Sequence, residues 1–403
     1  MADRSLQFDH LYTEPVRGSL DEPGYGSWRA LTAPGAVSLN YGFPYPESFP
    51  ETALSTSLET VLSDEGSDAL QYGGGEYVDS LKQGVLDREA TQGVDADTDN
   101  LLLTNGATHA LDSVARTVLE PGDEILVESP TFMGSLSLFE NFGVDVTGIP
   151  VDEDGLQVDA VAELLAARDQ QVEPKPKLLY TIPNFQNPTG TTLSRERRER
   201  LVELAQEHEL LVVEDDAYGE LRFDGNHVAP LAALDDEGWV VRIGTFSKTI
   251  APGVRTGWVL AHESLREQIR RLAAGGTNTF TQSVLGSYFE AGHYEPVLEE
   301  LTDAYARRRD AMLDSLSTHL PPGSDWTEPA GGFFVWVTLP EGVDSAELLP
   351  DAADEGVTYL PGSNFYHDDG DGRSLRLSFS HVTPEEMDRG IAALARATES
   401  ALS

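Results

Sequence analysis

Short apolar runs alternate with amphipathic stretches from about residue 100 onward. The runs that read as buried strands are LLLTN (101–105), EILVES (124–129), VTGIPV (146–151), KLLYTI (177–182), LLVVED (210–215), WVVRIGTF (239–246) and TGWVLA (256–261). Helical patterns, such as those at 107–120 and 194–210, stand between them. Continuous apolar strands that alternate with helices predict an α/β fold, in which a mainly parallel seven-stranded sheet lies between helices.

The C-terminal part of the chain follows another pattern. Strand-like runs at 331–340, 357–361 and 374–380 come before a helix that opens at Thr383-Pro384-Glu385-Glu386. Threonine is a good N-cap, proline fits the first turn, and Glu386 completes a capping box. Strands grouped before a helix predict a smaller α+β domain.

Three units are therefore predicted along the chain. The predicted units are an N-terminal segment (1–40) that packs with the small domain, a large domain (41–290) and a C-terminal small domain (291–403). A chain of 403 residues with 40% hydrophobic residues is long enough to bury a core in each of the two domains.

Composition excludes several classes of site. The chain has no cysteine, which removes disulfides, thiolate nucleophiles and Cys-ligated metals, and its nine histidines show no HExxH spacing. We therefore predict no metal site. No apolar run approaches the roughly 20 residues of a membrane-spanning helix, and the N-terminus lacks the pattern of a secretory signal. These features predict a cytoplasmic protein.

The charge of the chain is strongly negative. Its 69 acidic residues against 27 basic ones give a formal net charge of −42, and four of the basic residues are lysines: Lys82, Lys175, Lys177 and Lys248. Salt relieves such self-repulsion, since the screening length at 1 M is about 3 Å. The balance favours a protein adapted to a salt-rich cell over an ordinary acidic protein. It disfavours binding to nucleic acids or anionic membranes, because both need basic patches.

Candidate ligand-binding residues follow the predicted strands, where parallel sheets bind their ligands. Gly106-Ala107-Thr108 opens a helix, and small residues there leave backbone N–H groups for an anion such as phosphate, although a plain turn explains them too. Phe132, in Ser129-Pro130-Thr131-Phe132, could stack on a planar ring or belong to the core. Asn187, in the apolar loop PNFQNPTG (183–190), could offer its amide to a ligand oxygen or serve a simple turn.

Charged residues follow two further runs. Asp215 ends the run LLVVED, where a carboxylate needs a partner such as a protonated ring nitrogen or an arginine, unless it caps a helix. Lys248, after WVVRIGTF, can have a pKa lowered by desolvation and nearby cations, which suits a Schiff base with a carbonyl. Thr245, Ser247 and Arg255 could hold a phosphate. A solvated loop lysine is the alternative, but this chain has few exposed lysines.

Taken together, these residues match the binding of pyridoxal phosphate. An anion site, a stacking aromatic ring, an asparagine, an aspartate and a lysine follow successive strands. The lysine would hold the aldehyde, and Asn187 and Tyr218 would bind the ring hydroxyl. The aspartate would keep the pyridine nitrogen protonated, so that the ring takes up the electrons left by Cα deprotonation.

These motifs resemble those of the class I/II aminotransferases of fold type I, over the chain from about Leu39 to the C-terminus. NPTG (187–190), DDAY (215–218), Ser247-Lys248 and Arg255 match the family pattern in order and spacing. The longer segments are similar to a subgroup that contains 2-aminoadipate, kynurenine and aromatic aminotransferases. Those segments are PNFQNPTG, VVEDDAYGELRF, GTFSKTIAPGVRTGW and LRLSFS.

The resemblance implies a role for each residue of the cofactor site. The implied catalytic residues are Lys248, Asp215 and Tyr218. Lys248 would hold the cofactor and move a proton between Cα and C4′, and Asp215 would pair with the pyridinium. Tyr218 would bind the ring oxygen together with Asn187. The implied phosphate ligands are Ala107, Thr108, Thr245, Ser247 and Arg255, and Phe132 would stack on the ring. Ala107-Thr108 and Thr245 depart from the commoner residues, so contacts to the phosphate at 107–108 are expected from the backbone.

The resemblance also implies how substrate and partner subunit are bound. Arg376, in LRLSFS, would bind the substrate α-carboxylate as a bidentate pair, with Asn187 beside it. Tyr72, in LQYGGG, would reach the phosphate of the neighbouring subunit, which implies a homodimer with shared active sites. The N-terminal region would read the substrate side chain, where Arg17 and Arg29 could bind a second carboxylate or be plain surface residues.

The predicted reaction is transfer of an amino group from an L-amino acid to a 2-oxo acid such as 2-oxoglutarate, with ping-pong kinetics. Aromatic, branched-chain and 2-aminoadipate donors all stay open. A β-lyase or decarboxylase on the same fold is an alternative, because fold does not fix the reaction. An aminotransferase-like transcription regulator is a remote alternative, since it would need a basic N-terminal domain that this acidic chain lacks.

Overall fold

A computed structural model of the chain describes residues 11–13, 35–171, 174–273, 276–368 and 370–403. Its strands are β1 (Val37–Ser38), β2 (Leu101–Thr104), β3 (Glu124–Ser129), β4 (Asp145–Asp152), β5 (Gly155–Leu156), β6 (Leu178–Thr181), β7 (Leu211–Asp216), β8 (Val240–Thr245), β9 (Gly257–Leu260), β10 (Asp325–Trp326), β11 (Phe334–Thr338), β12 (Val357–Thr358), β13 (Leu360–Pro361) and β14 (Ser374–Ser378). Its α-helices are α1 (Glu51–Asp64), α2 (Tyr77–Thr91), α3 (Ala107–Val118), α4 (Met133–Glu140), α5 (Val158–Gln171), α6 (Arg195–His208), α7 (Glu263–Leu272), α8 (Thr279–Glu290), α9 (Tyr294–His319), α10 (Ser345–Glu355) and α11 (Pro384–Ala401).

The large sheet has the strand order β2-β9-β8-β7-β6-β3-β4-β5. Strand β9 is antiparallel to both neighbours, β5 is antiparallel to β4, and the remaining pairs are parallel. The prediction of an α/β fold with a mainly parallel sheet is confirmed, and each of the seven apolar runs forms a strand. The two-residue β5 adds an eighth strand, which is too short to show a periodic pattern in the sequence.

Helices cover both faces of this sheet because its strands are apolar on both sides. On one face, Leu178 and Val213 pack against residues of α3, α4 and α7, such as Val114. On the other face, the residues adjacent to these in the strands, Leu179 and Val212, pack against α5 and α6. Neighbouring residues of one strand thus belong to two separate cores, as the period-2 geometry of a strand requires.

The C-terminal part contains a second sheet, with the strand order β10-β11-β14-β13 and antiparallel pairing throughout. Its inner face packs against α9, α10 and α11. The capping box predicted for α11 is present, because the Thr383 side chain accepts from Glu386 N and the Glu386 side chain accepts from Thr383 N. The run VTYLP is divided, since β12 pairs with β1 and β13 pairs with β14.

The division into domains at residue 290 stays a prediction. Helix α8 ends at Glu290 and packs on α1 and α2, whereas α9 begins at Tyr294 and packs on α11. Most of the predicted N-terminal segment, with Arg17 and Arg29, lies outside the described residues. Within the described part of the chain, no helix is long and apolar enough to cross a membrane.

A buried arginine joins the centre of the sheet to helix α2. Arg242 on β8 donates from Nε to Glu89 Oε2 at 2.7 Å and from Nη2 to Asp216 Oδ2 at 2.6 Å. Its Nη1 lies 3.4 Å from Glu214 Oε1. Burial raises the pKa of Glu89 in spite of this arginine. Three carboxylates therefore depend on one guanidinium for their charge balance.

We expect Arg242→Met to lower the free energy of unfolding by about 3–5 kcal/mol, because it leaves buried carboxylates without a counter-charge. Urea unfolding in concentrated salt measures the change. The control is Arg116→Met, which removes an exposed pair with Asp112 and should cost no more than about 0.5–1 kcal/mol. Equal unfolding midpoints for the two variants would contradict this account.

Candidate active site

A cavity of about 250 Å³ opens at the carboxyl ends of the parallel strands. Eleven of the predicted site residues line it. Asp215, Thr245 and Arg376 lie on β7, β8 and β14, and the others follow β2, β3, β6, β7 or β8. The eleven are Ala107, Thr108, Phe132, Asn187, Asp215, Tyr218, Thr245, Ser247, Lys248, Arg255 and Arg376. Tyr72 does not line it, and its side chain is 98% exposed. The structure thus brings together residues that are up to 269 positions apart in sequence, from Ala107 to Arg376.

Lys248 follows β8 and extends into the cavity. Its Nζ donates to Gly42 O at 2.9 Å and lies 5.8 Å from the ring centre of Tyr218. Burial, together with the nearby Arg376 and Arg255, lowers the pKa of Lys248 to about 8 against the opposing effect of Asp215. Because of this lowered pKa, more of the amine is neutral near pH 7 than in a solvated lysine, as a nucleophile requires.

Asp215, near the end of β7, presents one carboxylate oxygen to the cavity. Its Oδ2 accepts from the Tyr180 hydroxyl at 2.7 Å. Its Oδ1 is buried and accepts no hydrogen bond from any described residue. Burial raises the pKa of Asp215 to about 6 against the effect of the Tyr180 hydrogen bond. A buried acceptor of this kind fits a protonated ring nitrogen.

The anion end of the cavity lies where α3 begins. Gly106 has φ 92° and precedes this twelve-residue helix, so the first backbone N–H groups face outward. A Cβ at Gly106 would stand 2.7 Å from Arg255 Nη2, so any other residue here would displace this guanidinium. Thr245 Oγ1 donates to Ser247 Oγ at 2.9 Å beside this arginine. Helix terminus, guanidinium and hydroxyls form a cradle suited to a phosphate.

Arg376 lies at the opposite end of the cavity. Its Nη1 donates to Asn187 Oδ1 and its Nη2 to Asn40 O, both at 2.7 Å. The guanidinium carbon lies 4.0 Å from the ring centre of Phe334 and 4.9 Å from that of Phe365. These aromatic contacts stabilise the guanidinium, and a planar fork is the geometry that binds a carboxylate.

The loops after β3 and β6 are joined by a buried acid. Glu128 accepts from Thr181 Oγ1 at 2.6 Å, from Ile182 N at 3.1 Å and from Gln186 Nε2 at 3.1 Å. Gln186 Nε2 also donates to Pro130 O at 2.8 Å. Burial raises the pKa of Glu128 to about 7. These bonds hold the loop that carries Phe132 next to the loop that carries Asn187.

The wall of the cavity includes residues that sequence reasoning missed. Phe43 and Phe334 line it together with Met133 and Ile182. Phe43 stacks on Tyr41 at 4.9 Å between ring centres. Phe334 lies in an apolar run that reads as plain strand core, and Phe43 lies in a loop without a periodic pattern. No group of three or more acidic or histidine side chains among the described residues is placed to hold a metal ion.

Comparison with known proteins identifies the family. The family model for aminotransferase class I and II matches residues 39–394. The chain belongs to this family. It is 36% identical over 399 residues to aromatic-amino-acid aminotransferase 1 of Thermococcus litoralis, covering 97% of this chain and 94% of that protein.

Two solved structures of aminotransferases are similar over nearly the whole chain. The kynurenine aminotransferase of Pyrococcus horikoshii, solved in complex with PMP, has a TM-score of 0.91 at 35% identity and covers 98% of this chain and 99% of its own. The α-aminoadipate aminotransferase of Thermus thermophilus, complexed with N-(5'-phosphopyridoxyl)-L-leucine, has a TM-score of 0.88 at 31% identity with the same coverage.

The chain is therefore a pyridoxal-phosphate-dependent aminotransferase, and the predicted fold, enzyme class and cofactor are confirmed. The residues present fit this cofactor: the buried Asp215 Oδ1 suits its ring nitrogen, and the Gly106 cradle suits its phosphate. The role of each individual residue stays a prediction, as do the homodimer and the salt-rich cytoplasm.

Proposed function

We propose that the enzyme takes the amino group of an aromatic L-amino acid and gives it to a 2-oxo acid such as 2-oxoglutarate, in two half-reactions with ping-pong kinetics. The observation that carries the aromatic assignment is the apolar wall of the cavity, to which Phe43, Met133, Ile182 and Phe334 contribute. Aromatic side chains gain both buried area and ring contacts at such a surface.

Lys248 is the residue that moves the proton. Pyridoxal phosphate, when bound, supplies an aldehyde for the amine and a ring that takes up the electrons released at Cα. When the substrate amine takes its place on the cofactor, Lys248 Nζ is freed as an amine and would carry the proton from Cα to C4′. Its lowered pKa, about 8, suits this task, because a base works best when its pKa is near the working pH.

The remaining residues hold the reacting groups in place. Asp215 Oδ1 accepts a hydrogen bond from the protonated ring nitrogen, and Asn187 and Tyr218 bind the ring oxygen. Ala107 and Thr108 offer backbone N–H groups to the phosphate, and the side chains of Thr245, Ser247 and Arg255 also bind it. Phe132 packs on the ring face. Each of these side chains lines the cavity.

Arg376 binds the substrate α-carboxylate, with Asn187 beside it. The cationic residues that line the cavity in the described part of the chain are Lys248, Arg255 and Arg376. Each has a role in this proposal, so the second carboxylate of 2-oxoglutarate would need a cation from outside this set, and Arg17 and Arg29 of the N-terminal region are the candidates in the sequence. The aromatic assignment therefore rests on the apolar wall of the cavity.

The experiment that tests the aromatic assignment is a comparison of kcat/KM for L-phenylalanine, L-leucine and L-2-aminoadipate with 2-oxoglutarate. We expect phenylalanine to exceed 2-aminoadipate by at least about tenfold, because an aromatic ring gains buried area and ring contacts at the apolar wall that a carboxylate does not gain. Leucine should lie between the two. A preference for 2-aminoadipate would overturn the aromatic assignment and leave transamination itself intact.

We also propose a homodimer with shared active sites. Tyr72 is 98% exposed and stands outside the cavity of its own chain, which supports a contact with the phosphate site of a partner subunit. Helices α1 and α8 pack together, and Thr279 at the start of α8 donates to Gln71 O, next to Tyr72. The molar mass of the protein in solution tests this proposal, since the mass of a single chain would contradict it.

We also propose adaptation to a salt-rich cytoplasm, which the net charge of −42 supports. We expect the melting temperature to rise by about 10 °C or more between about 0.1 M and about 2 M KCl, because salt screens the repulsion between carboxylates. Potassium chloride is chosen over a sulfate, which would stabilise most proteins by exclusion from their surface. A melting temperature that stays constant or falls would contradict the proposal.

A further inference from the structure

Two adjacent aspartates on β7 have partners of different kinds. Asp216 accepts from Arg242 Nη2 at 2.6 Å and from Asn184 Nδ2 at 2.9 Å. Burial opposes ionisation, but these donors outweigh it and hold the pKa of Asp216 below its usual range. Asp215 instead accepts at Oδ2 from the neutral Tyr180 hydroxyl, at 2.7 Å. The guanidinium of Arg242 is thus paired with Asp216, whereas Asp215 is paired with a neutral hydroxyl.

Tyr180 is held rigidly beside Asp215. It lies on β6, paired in register with Val213 of β7, and is fully buried. Its ring meets that of Phe139 edge to face at 5.7 Å between ring centres. Burial and the neighbouring Asp215 carboxylate hold the pKa of Tyr180 well above its usual range, so that the hydroxyl remains a donor at physiological pH.

We propose that Tyr180 is a positioning residue, whose hydroxyl holds Asp215 Oδ2 so that Oδ1 points to the ring nitrogen of the cofactor. The strength of the hydrogen bond between Tyr180 and Asp215 then sets how firmly the ring nitrogen keeps its proton. The proposal rests on the role of Asp215 proposed above. It explains why one oxygen of a buried carboxylate is paired while the other is left to the cavity.

The surroundings of Asp215 make the Tyr180 bond influential. The charged and titratable groups that act on Asp215 or on Tyr180 are Glu128 on β3, Tyr180 on β6, Asp216 on β7, Arg242 on β8 and Lys248 after β8. Among the described residues, Tyr180 supplies the hydrogen bond that Asp215 accepts. Without it the carboxylate becomes more basic and draws the shared proton away from the ring.

The test is Tyr180→Phe, which keeps the ring and removes the hydroxyl. Holoenzyme is prepared with pyridoxal phosphate labelled with ¹⁵N in the ring, and NMR reports the protonation of that nitrogen directly. We expect the signal to move toward that of unprotonated pyridine and the dissociation constant of the cofactor to rise about tenfold, the typical effect of a lost hydrogen bond to a charged group. An unchanged signal and a dissociation constant within about twofold would overturn the proposal.

Two further variants separate positioning from packing. Phe139→Leu alters the packing of the Tyr180 ring and leaves the hydrogen bond, so its ¹⁵N signal should match that of the parent enzyme. Replacement of Tyr180 by 3-fluorotyrosine, whose more acidic hydroxyl is a stronger donor, should move the signal in the direction opposite to that of Tyr180→Phe. Equal shifts for Phe139→Leu and Tyr180→Phe would reduce Tyr180 to a packing residue and overturn the proposal.

The variant Asp215→Asn separates two claims: that Asp215 binds the ring nitrogen, which belongs to the proposed function, and that Tyr180 positions Asp215. If Asp215→Asn moves the ¹⁵N signal and Tyr180→Phe does not, the role of Asp215 stands and the inference on Tyr180 falls. If neither variant moves the signal, Asp215 is not the partner of the ring nitrogen, and both statements fall.

Discussion

Replacement of Lys248 by alanine is expected to lower the rate of transamination between L-phenylalanine and 2-oxoglutarate by at least about 10⁴-fold. The variant loses both the amine that holds the cofactor and the base that moves the Cα proton, and general acid–base catalysis alone contributes about 10²–10⁴-fold. Steady-state kinetics with added pyridoxal phosphate measure the rate. The visible absorption band of lysine-bound cofactor should also be absent.

Lys177→Ala is the matched control for this variant. Lys177 lies at the opposite end of the sheet, before β6, and its Nζ pairs with Asp123 Oδ2 at 2.7 Å. We expect this control to retain the parent rate and the visible band. Retention of activity by Lys248→Ala would refute the assignment of Lys248, whatever the control shows.

Asp215→Asn should lower kcat by about 10³-fold and weaken cofactor binding. The amide keeps the size and the Tyr180 contact, but it removes the negative charge that stabilises a protonated ring nitrogen. The ring then takes up fewer electrons from Cα, so the loss appears in kcat more than in the KM for the amino acid. Single-turnover kinetics with excess enzyme measure this step directly.

The control for Asp215→Asn is Asp224→Asn, which removes an equal charge at the surface, where Asp224 pairs with Arg309. This control should leave kcat within about twofold of the parent, since Asp224 is largely exposed and does not line the cavity. If Asp215→Asn gave the parent kcat, the carboxylate would have no part in the reaction.

The polar site residues near the strand ends could be predicted from the sequence, because each lies at the end of a recognisable buried run or just after it. Asn187, Asp215 and Lys248 come after β6, near the end of β7 and after β8, and parallel strands place such positions along one edge of the sheet. The chain-order pattern therefore implied their proximity without knowledge of the structure. Their shared cavity follows from topology and needs no fine detail of side-chain packing.

Contacts that join distant segments could not be predicted in this way. Gly42 and Phe43 reach the cavity from a segment about 200 residues before Lys248, and nothing in their local sequence indicates this approach. The partner of Arg242 is Glu89, 153 positions earlier, on a helix that reads as an ordinary amphipathic one. Such pairs depend on how helices and loops return to the sheet, which hydrophobic periodicity does not encode.

Tyr180 shows a third case, in which the element was predicted and the chemistry was missed. In KLLYTI it reads as one more apolar strand residue, and it is indeed fully buried. Its hydroxyl matters because the register of β6 against β7 sets it beside Asp215. Strand register is decided by packing on both faces of the sheet, so the hydrogen bond became visible only in the structure.

The measurement that tests the central claim most directly is a visible spectrum of the protein with pyridoxal phosphate in concentrated salt, during stepwise addition of L-phenylalanine. We predict that the band of lysine-bound cofactor disappears as the amino group is transferred, and that 2-oxoglutarate restores it. A band that no amino acid changes, or a change accompanied by release of ammonia or carbon dioxide, would contradict transamination as the reaction of this enzyme.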